Sequence, residues 1–170
     1  VLNNFSSLFS NPWLWPSYLH NQAGSLVTSS FFVASIGAFY LLSDRHSKFG
    51  RIFVKSGVIF GTISSIMLAF PTGDLAAKNV VKYQPAAFAA MEGIFKTEKG
   101  GSEIILIGQP DMENKKLDNK IAVPNVLSFL TYQRWDSEIK GLNEFDASFH
   151  STIVPGLYYS YHIMVGLGTI

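Results

Sequence analysis

The fold is decided by residues 17–43, SYLHNQAGSLVTSSFFVASIGAFYLLS, which contain no Asp, Glu, Lys or Arg. The charge-free run extends back to Val1. An α-helix over residues 17–43 rises about 40 Å at 1.5 Å per residue, which exceeds the roughly 30 Å of hydrocarbon in a bilayer. The sequence therefore predicts a transmembrane helix over residues 17–43, preceded by a lead-in over residues 1–16.

Two more apolar segments are predicted to cross the membrane. Residues 52–72 form the second span, with Lys55 close enough to one end for its ammonium group to reach the headgroups. Residues 153–170 are charge-free and apolar to the last residue, which predicts a third, truncated span. The predicted fold class is an all-α polytopic membrane protein, a transmembrane helix bundle that forms a piece of a longer chain.

The distribution of charge predicts the orientation of these spans. The turn over residues 44–51 carries Arg45, Lys48 and Arg51 against one acid, and short basic loops stay in the cytoplasm. Eleven of the twelve acidic residues lie between Asp74 and Asp146. We therefore expect a cytoplasmic turn over residues 44–51, with the lead-in and a long loop over residues 73–152 on the outer side. The net charge of +1 gives no reason to expect a nucleic-acid partner.

The outer loop has mixed patterns typical of a folded segment rather than a linker. They predict a helix around Ala86–Glu92 and a short strand at Glu103–Ile107. A turn at Gly108–Asp111 and an exposed loop over Asp111–Lys120 are predicted to follow. The next stretch, Val123–Leu130, is apolar and is predicted to pack on the membrane domain.

A histidine and a methionine lie in the predicted outer half of two spans. His20 is near the start of the first span and Met164 is about nine residues past Pro155 in the third. An imidazole nitrogen and a thioether sulfur can together hold a haem iron. The chain has no Cys, so a haem would be held without thioether links to the protein. The alternatives are a helix-to-helix hydrogen bond for His20 and plain packing for Met164.

The outer loop closely resembles the quinol-binding loop of cytochrome bd quinol oxidase subunit I. The resemblance is carried by Gln84–Gly93, Phe95–Glu98, Gly108–Asp111, Val123–Pro124, Leu127–Leu130 and Gly141–Leu142. Upstream, Asn11-Pro12 followed by Tyr18-Leu19-His20 is similar to the family's entry into the helix that supplies a haem-ligating histidine. Downstream, Tyr161–Gly168 resembles the segment that supplies the methionine ligand. The resemblance covers essentially all 170 residues.

The resemblance implies an enzyme of the bacterial cytoplasmic (inner) membrane, a multi-pass quinol:oxygen oxidoreductase. Such an enzyme oxidises membrane quinol at the outer face, passes electrons through a low-spin haem b to a dioxygen-reducing haem site and generates proton motive force. It implies that His20 and Met164 ligate the iron of the low-spin haem b. It also implies that Glu92 lies at the quinol site as a proton acceptor, with Asp74 as a weaker candidate. His162 stands where many relatives have an arginine thought to support the haem.

The resemblance also implies partners beyond this chain. A high-spin haem b, a haem d and a second membrane subunit are expected in the complete oxidase, and the fragment alone is not expected to reduce oxygen. The family commonly has a lysine five residues before the glutamate, where this sequence has Ala87, and Lys78 and Lys82 are the candidate substitutes. Two alternatives stay open: a haem-free transporter or anchor segment, and a degenerate oxidase homologue that keeps haem b but no longer oxidises quinol.

Overall fold

The structure is a computed structural model, and it describes residues 4–146 and 153–169. The predicted end of the outer loop at residue 152 lies outside the described residues. The chain divides into two compact units, Val1–Asn79 and Val80–Ile170. The predominance of helix confirms the helical part of the predicted fold class.

The first unit is built around a helical hairpin. Its elements are α1 (Ser6–Phe9), α2 (Leu14–Leu42), α3 (Ser47–Met67), a π-helical bend (Leu68–Gly73) and the first part of α4 (Asp74–Tyr83). The bend has a physical cause at Phe70, whose extended backbone (φ −148°, ψ 124°) precedes Pro71. A residue before proline is disfavoured in the α-helical region because the proline ring crowds it. The predicted second span over residues 52–72 lies within α3 and this bend, and its membrane boundaries stay a prediction.

Two helical runs among the described residues are long and apolar enough to cross a membrane by length and composition. They are α2 and Ser47–Tyr83, which contains α3. Large apolar side chains project outward from both helices, including Phe32, Phe39, Leu42, Phe60 and Ile66, each more than 60% exposed. Such a surface suits contact with lipid or with further helices. The described part of the third predicted span is α7 (Val154–Thr169), a helix of 16 residues.

Small residues bring the backbones of α2 and α3 together. Gly37, Gly50, Gly57 and Gly61 are all buried in this hairpin. A Cβ atom added at Gly57 would lie 2.5 Å from the carbonyl oxygen of Ser30, which is closer than real contacts allow. Close approach of helix backbones through small residues is a usual means of helix association in membranes.

We expect Gly57→Ala to destabilise the hairpin by about 1–3 kcal/mol, because the added methyl group meets backbone that cannot rotate away. The measurement is the thermal denaturation midpoint of the purified full-length parent. Gly24→Ala is the matched control, since a Cβ there meets only the Leu68 side chain, at 3.8 Å. Equal midpoints for the two variants would contradict this packing.

The second unit combines short helices, a hairpin and α7. Its elements are the end of α4, α5 (Pro85–Glu92), β1 (Ile104–Asp111), β2 (Lys116–Val123), α6 (Val126–Tyr132), a 3₁₀ turn (Leu142–Glu144) and α7. The core is formed by buried side chains from these helices and the segments between them: Phe88, Ala89, Ala90, Ile94, Phe95, Leu127, Ile139, Leu142 and Val154. The apolar stretch predicted to pack on the membrane domain supplies Leu127, which shares this core with Val154 of α7.

The predicted helix at Ala86–Glu92 and strand at Glu103–Ile107 are confirmed as α5 and β1, but two neighbouring predictions were wrong. Gly108–Asp111 continues β1 instead of turning, and the second half of Asp111–Lys120 is β2 rather than loop. The chain turns over residues 112–115, where the Asp111 carboxylate accepts hydrogen bonds from the backbone N–H groups of Glu113 and Asn114, both at 3.0 Å. An exposed hairpin tolerates polar side chains, so β2 lacks the apolar run that marks a buried strand.

Candidate functional site

Glu92 is the last residue of α5, and its side chain is almost completely buried, with 3% exposed. Pro85 begins this helix, where its missing N–H costs nothing. Gly93 ends it in the left-handed conformation, with φ 71°. A Cβ at Gly93 would also lie 2.9 Å from the ring of Tyr158. The glycine therefore lets α7 pack directly against the end of α5, where the Glu92 side chain is held.

One face of α7 meets Glu92. Tyr158, Tyr161 and His162 are spaced i, i+3 and i+4, which places them on the same side of a helix. Tyr161 and His162 both influence the pKa of the Glu92 carboxyl group, so both side chains lie near it. Tyr158 and Tyr161 were not among the site residues predicted from the sequence. Their helical spacing with His162 on a charge-free segment is the signal that could have found them.

The His162 ring is held by backbone carbonyl groups. Nδ1 lies 3.0 Å from the carbonyl oxygen of Tyr158, and Nε2 lies 3.0 Å from that of Ile105 in β1. The ring also packs on Tyr158, with centroids 4.0 Å apart. Both ring nitrogens are thus occupied within the second unit. The role of His162 in haem binding stays a prediction, and these contacts add a role in joining α7 to the hairpin.

Burial raises the pKa of Glu92 above its usual value. The nearby Tyr161 and His162 side chains offset part of this rise. A carboxyl group in such surroundings takes up a proton more readily than one in water. Perturbed carboxyl groups of this kind are candidates for proton transfer.

His20 lies in the first unit, close to the bend after α3. Its Nδ1 is 3.4 Å from the hydroxyl oxygen of Thr72, a residue that is 4% exposed. The Thr72 hydroxyl has its own acceptor, the carbonyl oxygen of Met67, at 2.7 Å. Thr72 is therefore set to accept a hydrogen from Nδ1, and in that tautomer Nε2 keeps its lone pair for a metal. Thr72 was not singled out in the sequence.

Met164 and Asp74, the other two predicted site residues, differ in their surroundings. Met164 in α7 is 58% exposed within the described chain, so its thioether is accessible. Asp74 begins α4 and forms an ion pair with Lys78, at 2.7 Å. His20 and Asp74 belong to the first unit, whereas Glu92, His162 and Met164 belong to the second. Within the described residues, no cluster of three or more His, Cys, Asp or Glu side chains is arranged to hold a metal ion.

A cleft of about 200 Å³ opens beside the end of α5. It is lined by residues following Glu92 and by the hairpin, with Lys96, Lys115, Lys116 and Lys120 facing Glu98 and Glu103. Lys120 forms an ion pair with Glu103, and Lys116 pairs with Asp118. Glu92 itself does not line the cleft, so the buried carboxyl group and the lysine-rich surface are separate features.

Several known proteins are similar to this chain. The family model described as cytochrome bd terminal oxidase subunit I matches residues 1–170. The cytochrome bd ubiquinol oxidase subunit 1 of Bacillus subtilis (strain 168) is 30% identical over 99% of this chain and 38% of that protein. The cytochrome bd-II ubiquinol oxidase subunit 1 of Escherichia coli (strain K12) is 27% identical over 91% of this chain and 30% of that protein.

A solved structure agrees with these sequence matches. The bd oxidase from Geobacillus thermodenitrificans superposes with a TM-score of 0.82 at 28% identity, over 94% of this chain and 36% of that one. The chain spans about a third of the length of the relatives it matches. Because the family model matches the chain along its whole length, the chain belongs to the cytochrome bd terminal oxidase subunit I family.

Proposed function

We propose that this chain is the electron-entry part of a terminal oxidase that oxidises membrane quinol at the outer face and reduces dioxygen at a haem site elsewhere in the full-length subunit. The observation that carries the proposal is the buried Glu92 carboxyl group, held by α7 in a chain of this family. A second membrane subunit, the lipid bilayer of the bacterial inner membrane and the generation of proton motive force belong to the same proposal.

Glu92 is proposed as the group that accepts a proton from quinol. Quinol loses two electrons and two protons when it becomes quinone, so each electron that leaves must be matched by a proton acceptor. A carboxylate within hydrogen-bond reach of the quinol hydroxyl supplies that acceptor. Burial raises the pKa of Glu92, which makes its carboxyl group readier to take up a proton. Asp74, paired with Lys78, is the weaker candidate.

His20 and Met164 are proposed to hold the low-spin haem b. The donor set fits the group, because Thr72 engages Nδ1 of His20 and leaves Nε2 for the iron, and because the Met164 thioether is accessible. The bound haem would supply a one-electron acceptor for quinol oxidation, and methionine ligation favours a higher reduction potential. His162 is proposed to support the same region of α7 through its two carbonyl contacts.

The test uses membranes containing the full-length parent. We expect a low-spin b-type band in the reduced-minus-oxidised visible spectrum and oxygen uptake that depends on added quinol. A spectrum without haem bands would overturn the proposal in favour of a transporter or anchor. Haem bands without quinol-dependent oxygen uptake would instead indicate a degenerate homologue, the alternative suggested by Ala87.

A further inference from the structure

We propose that the outward side of α3 binds an anionic phospholipid, with the phosphate group on Arg51 and Lys55 and an acyl chain along Ile59 and Ile66. This side of the helix has a basic end, formed by Lys48, Arg51 and Lys55, and an apolar end beyond it. The inference rests on the membrane location in the proposed function. It involves none of the residues proposed to handle quinol or haem.

The basic end points away from the helical hairpin. At about 100° per residue, Lys48, Arg51 and Lys55 fall within an arc of roughly 60° on α3. Gly50 and Gly57, which pack against α2, lie on the opposite side of the same helix. The side chains of all three cations are exposed. They are therefore available to a ligand that approaches α3 from outside the hairpin.

Within the part of the chain that the structure describes, no ion pair involves the basic end. The only acid before Asp74 in the sequence is Asp44, in the turn that precedes α3. Arg51 and Lys55 are four positions apart, and like charges at this spacing on a helix repel each other. A phosphate group between the two side chains removes the repulsion and accepts a charge-assisted hydrogen bond from each. The charge of this end therefore fits an anion.

The same side of α3 is apolar beyond Lys55. Ile59 and Ile66 continue it, because residues spaced i, i+4 and i+11 share one side of a helix. These two side chains are 47% and 64% exposed. From Lys55 to Ile66 the helix rises about 16 Å, close to the roughly 15 Å of hydrocarbon in one leaflet. A charged end followed by an apolar stretch of this length has the dimensions of a phospholipid, whereas a free phosphate ion would contact only the charged end.

The depth of Lys55 also favours a lipid phosphate as its partner. Lys55 is about two turns from the start of α3, between the exposed apolar side chains of Ile52 and Val58. A lysine in apolar surroundings is costly unless its ammonium group reaches a polar partner. Basic clusters beside the cytoplasmic end of a membrane helix attract anionic lipids. Because the turn before α3 is predicted to be cytoplasmic, we place this lipid in the inner leaflet.

The experiment measures lipid preference at α3 itself in the full-length parent, reconstituted in phosphatidylcholine vesicles. A bimane fluorophore is attached to Thr62→Cys, an exposed position on the same side of α3, after any other cysteine of the parent has been replaced. Phosphatidylglycerol or phosphatidylcholine with a nitroxide on one acyl chain then quenches the fluorophore. We expect phosphatidylglycerol to associate about 10–30-fold more strongly than phosphatidylcholine, because each cation near an anionic headgroup adds about fivefold.

Charge variants identify the cations responsible. In Arg51→Gln/Lys55→Gln the two lipids should quench almost equally, whereas Arg51→Lys/Lys55→Arg should keep the preference. If the double Gln variant does not fold, Lys55→Gln alone should lower the preference about fivefold. The matched control, Lys99→Gln/Lys140→Gln, removes two exposed positive charges from the outer loop and should keep the wild-type preference.

The outcomes separate a lipid from other occupants. Equal quenching by the two lipids in the wild-type protein overturns the inference, and so does a preference that survives Arg51→Gln/Lys55→Gln. Sodium phosphate and sodium chloride at matched ionic strength should weaken the preference equally, and displacement by phosphate alone would overturn the lipid as ligand. If alkaline carbonate releases the full-length parent from membranes, it is the membrane location in the proposed function that fails.

Discussion

Glu92→Gln in the full-length parent is expected to lower quinol-dependent oxygen uptake by about 10²–10⁴-fold, the usual contribution of a positioned acid–base group. Glutamine keeps the shape of the side chain but cannot take up a proton, so the quinol hydroxyl loses its acceptor. The variant should still fold, because replacing a carboxyl group whose pKa is raised by burial removes a desolvation cost instead of adding one. The measurement is kcat with quinol under saturating oxygen.

The matched control for this variant is Glu113→Gln, in the exposed turn between β1 and β2. It removes the same charge from the same loop and should leave turnover within twofold of wild type, a margin of about 0.4 kcal/mol. Low-spin haem content should be unchanged in both variants. Turnover in Glu92→Gln equal to that in Glu113→Gln would remove Glu92 from the quinol site and leave Asp74 as the candidate to examine.

His20→Ala and Met164→Leu are each expected to abolish the low-spin b-type band in the reduced-minus-oxidised spectrum. Alanine removes the ring nitrogen and leucine removes the thioether, and neither replacement offers an iron ligand. Thr72→Val should have a smaller effect, with haem affinity falling about 10–100-fold, because it removes only the group that orients Nδ1 of His20. The measurement is the spectrum of purified protein titrated with haem.

Two controls accompany these variants. His46→Ala alters a histidine in the turn between α2 and α3, and Met112→Leu alters an exposed methionine in the hairpin turn. Both should keep the full low-spin band. Retention of the band in His20→Ala and Met164→Leu would show that these residues do not ligate the iron. A band weakened to the same degree in all four variants would indicate lost stability rather than lost ligation.

Ala87 stands where the family commonly has a lysine, so the loop motif places no positive charge at this position before Glu92. The two candidate substitutes have other partners, because Lys78 pairs with Asp74 and Lys82 lies over the ring of Tyr83, 5.1 Å from its centroid. The groups that face Glu92 come instead from α7. The polar partners of this carboxyl group are therefore supplied by a helix distant in sequence rather than by the loop motif itself.

The elements predicted correctly are those with a strong local cause. A charge-free run of residues that, as a helix, exceeds the thickness of a bilayer predicts the helix observed as α2. The alanine-rich segment before Gly93 predicts α5. The hairpin was only half recognised, because the polar residues of β2 have the composition of a loop. Their strand conformation comes from pairing with β1, which a local pattern does not contain.

The sequence by itself determined the family, the long apolar helices and the identity of the candidate residues His20, Glu92 and Met164. These depend on composition, order and spacing, which are properties of the chain before it folds. Only the tertiary structure brought Tyr161 to Glu92 and Thr72 to His20, each pair more than 50 residues apart in sequence. Such partners are decided by packing between helices, here permitted by the missing side chain at Gly93 and the bend before Pro71. Contacts between distant segments carry no local signature, so the groups that tune a site become visible only when the chain is folded.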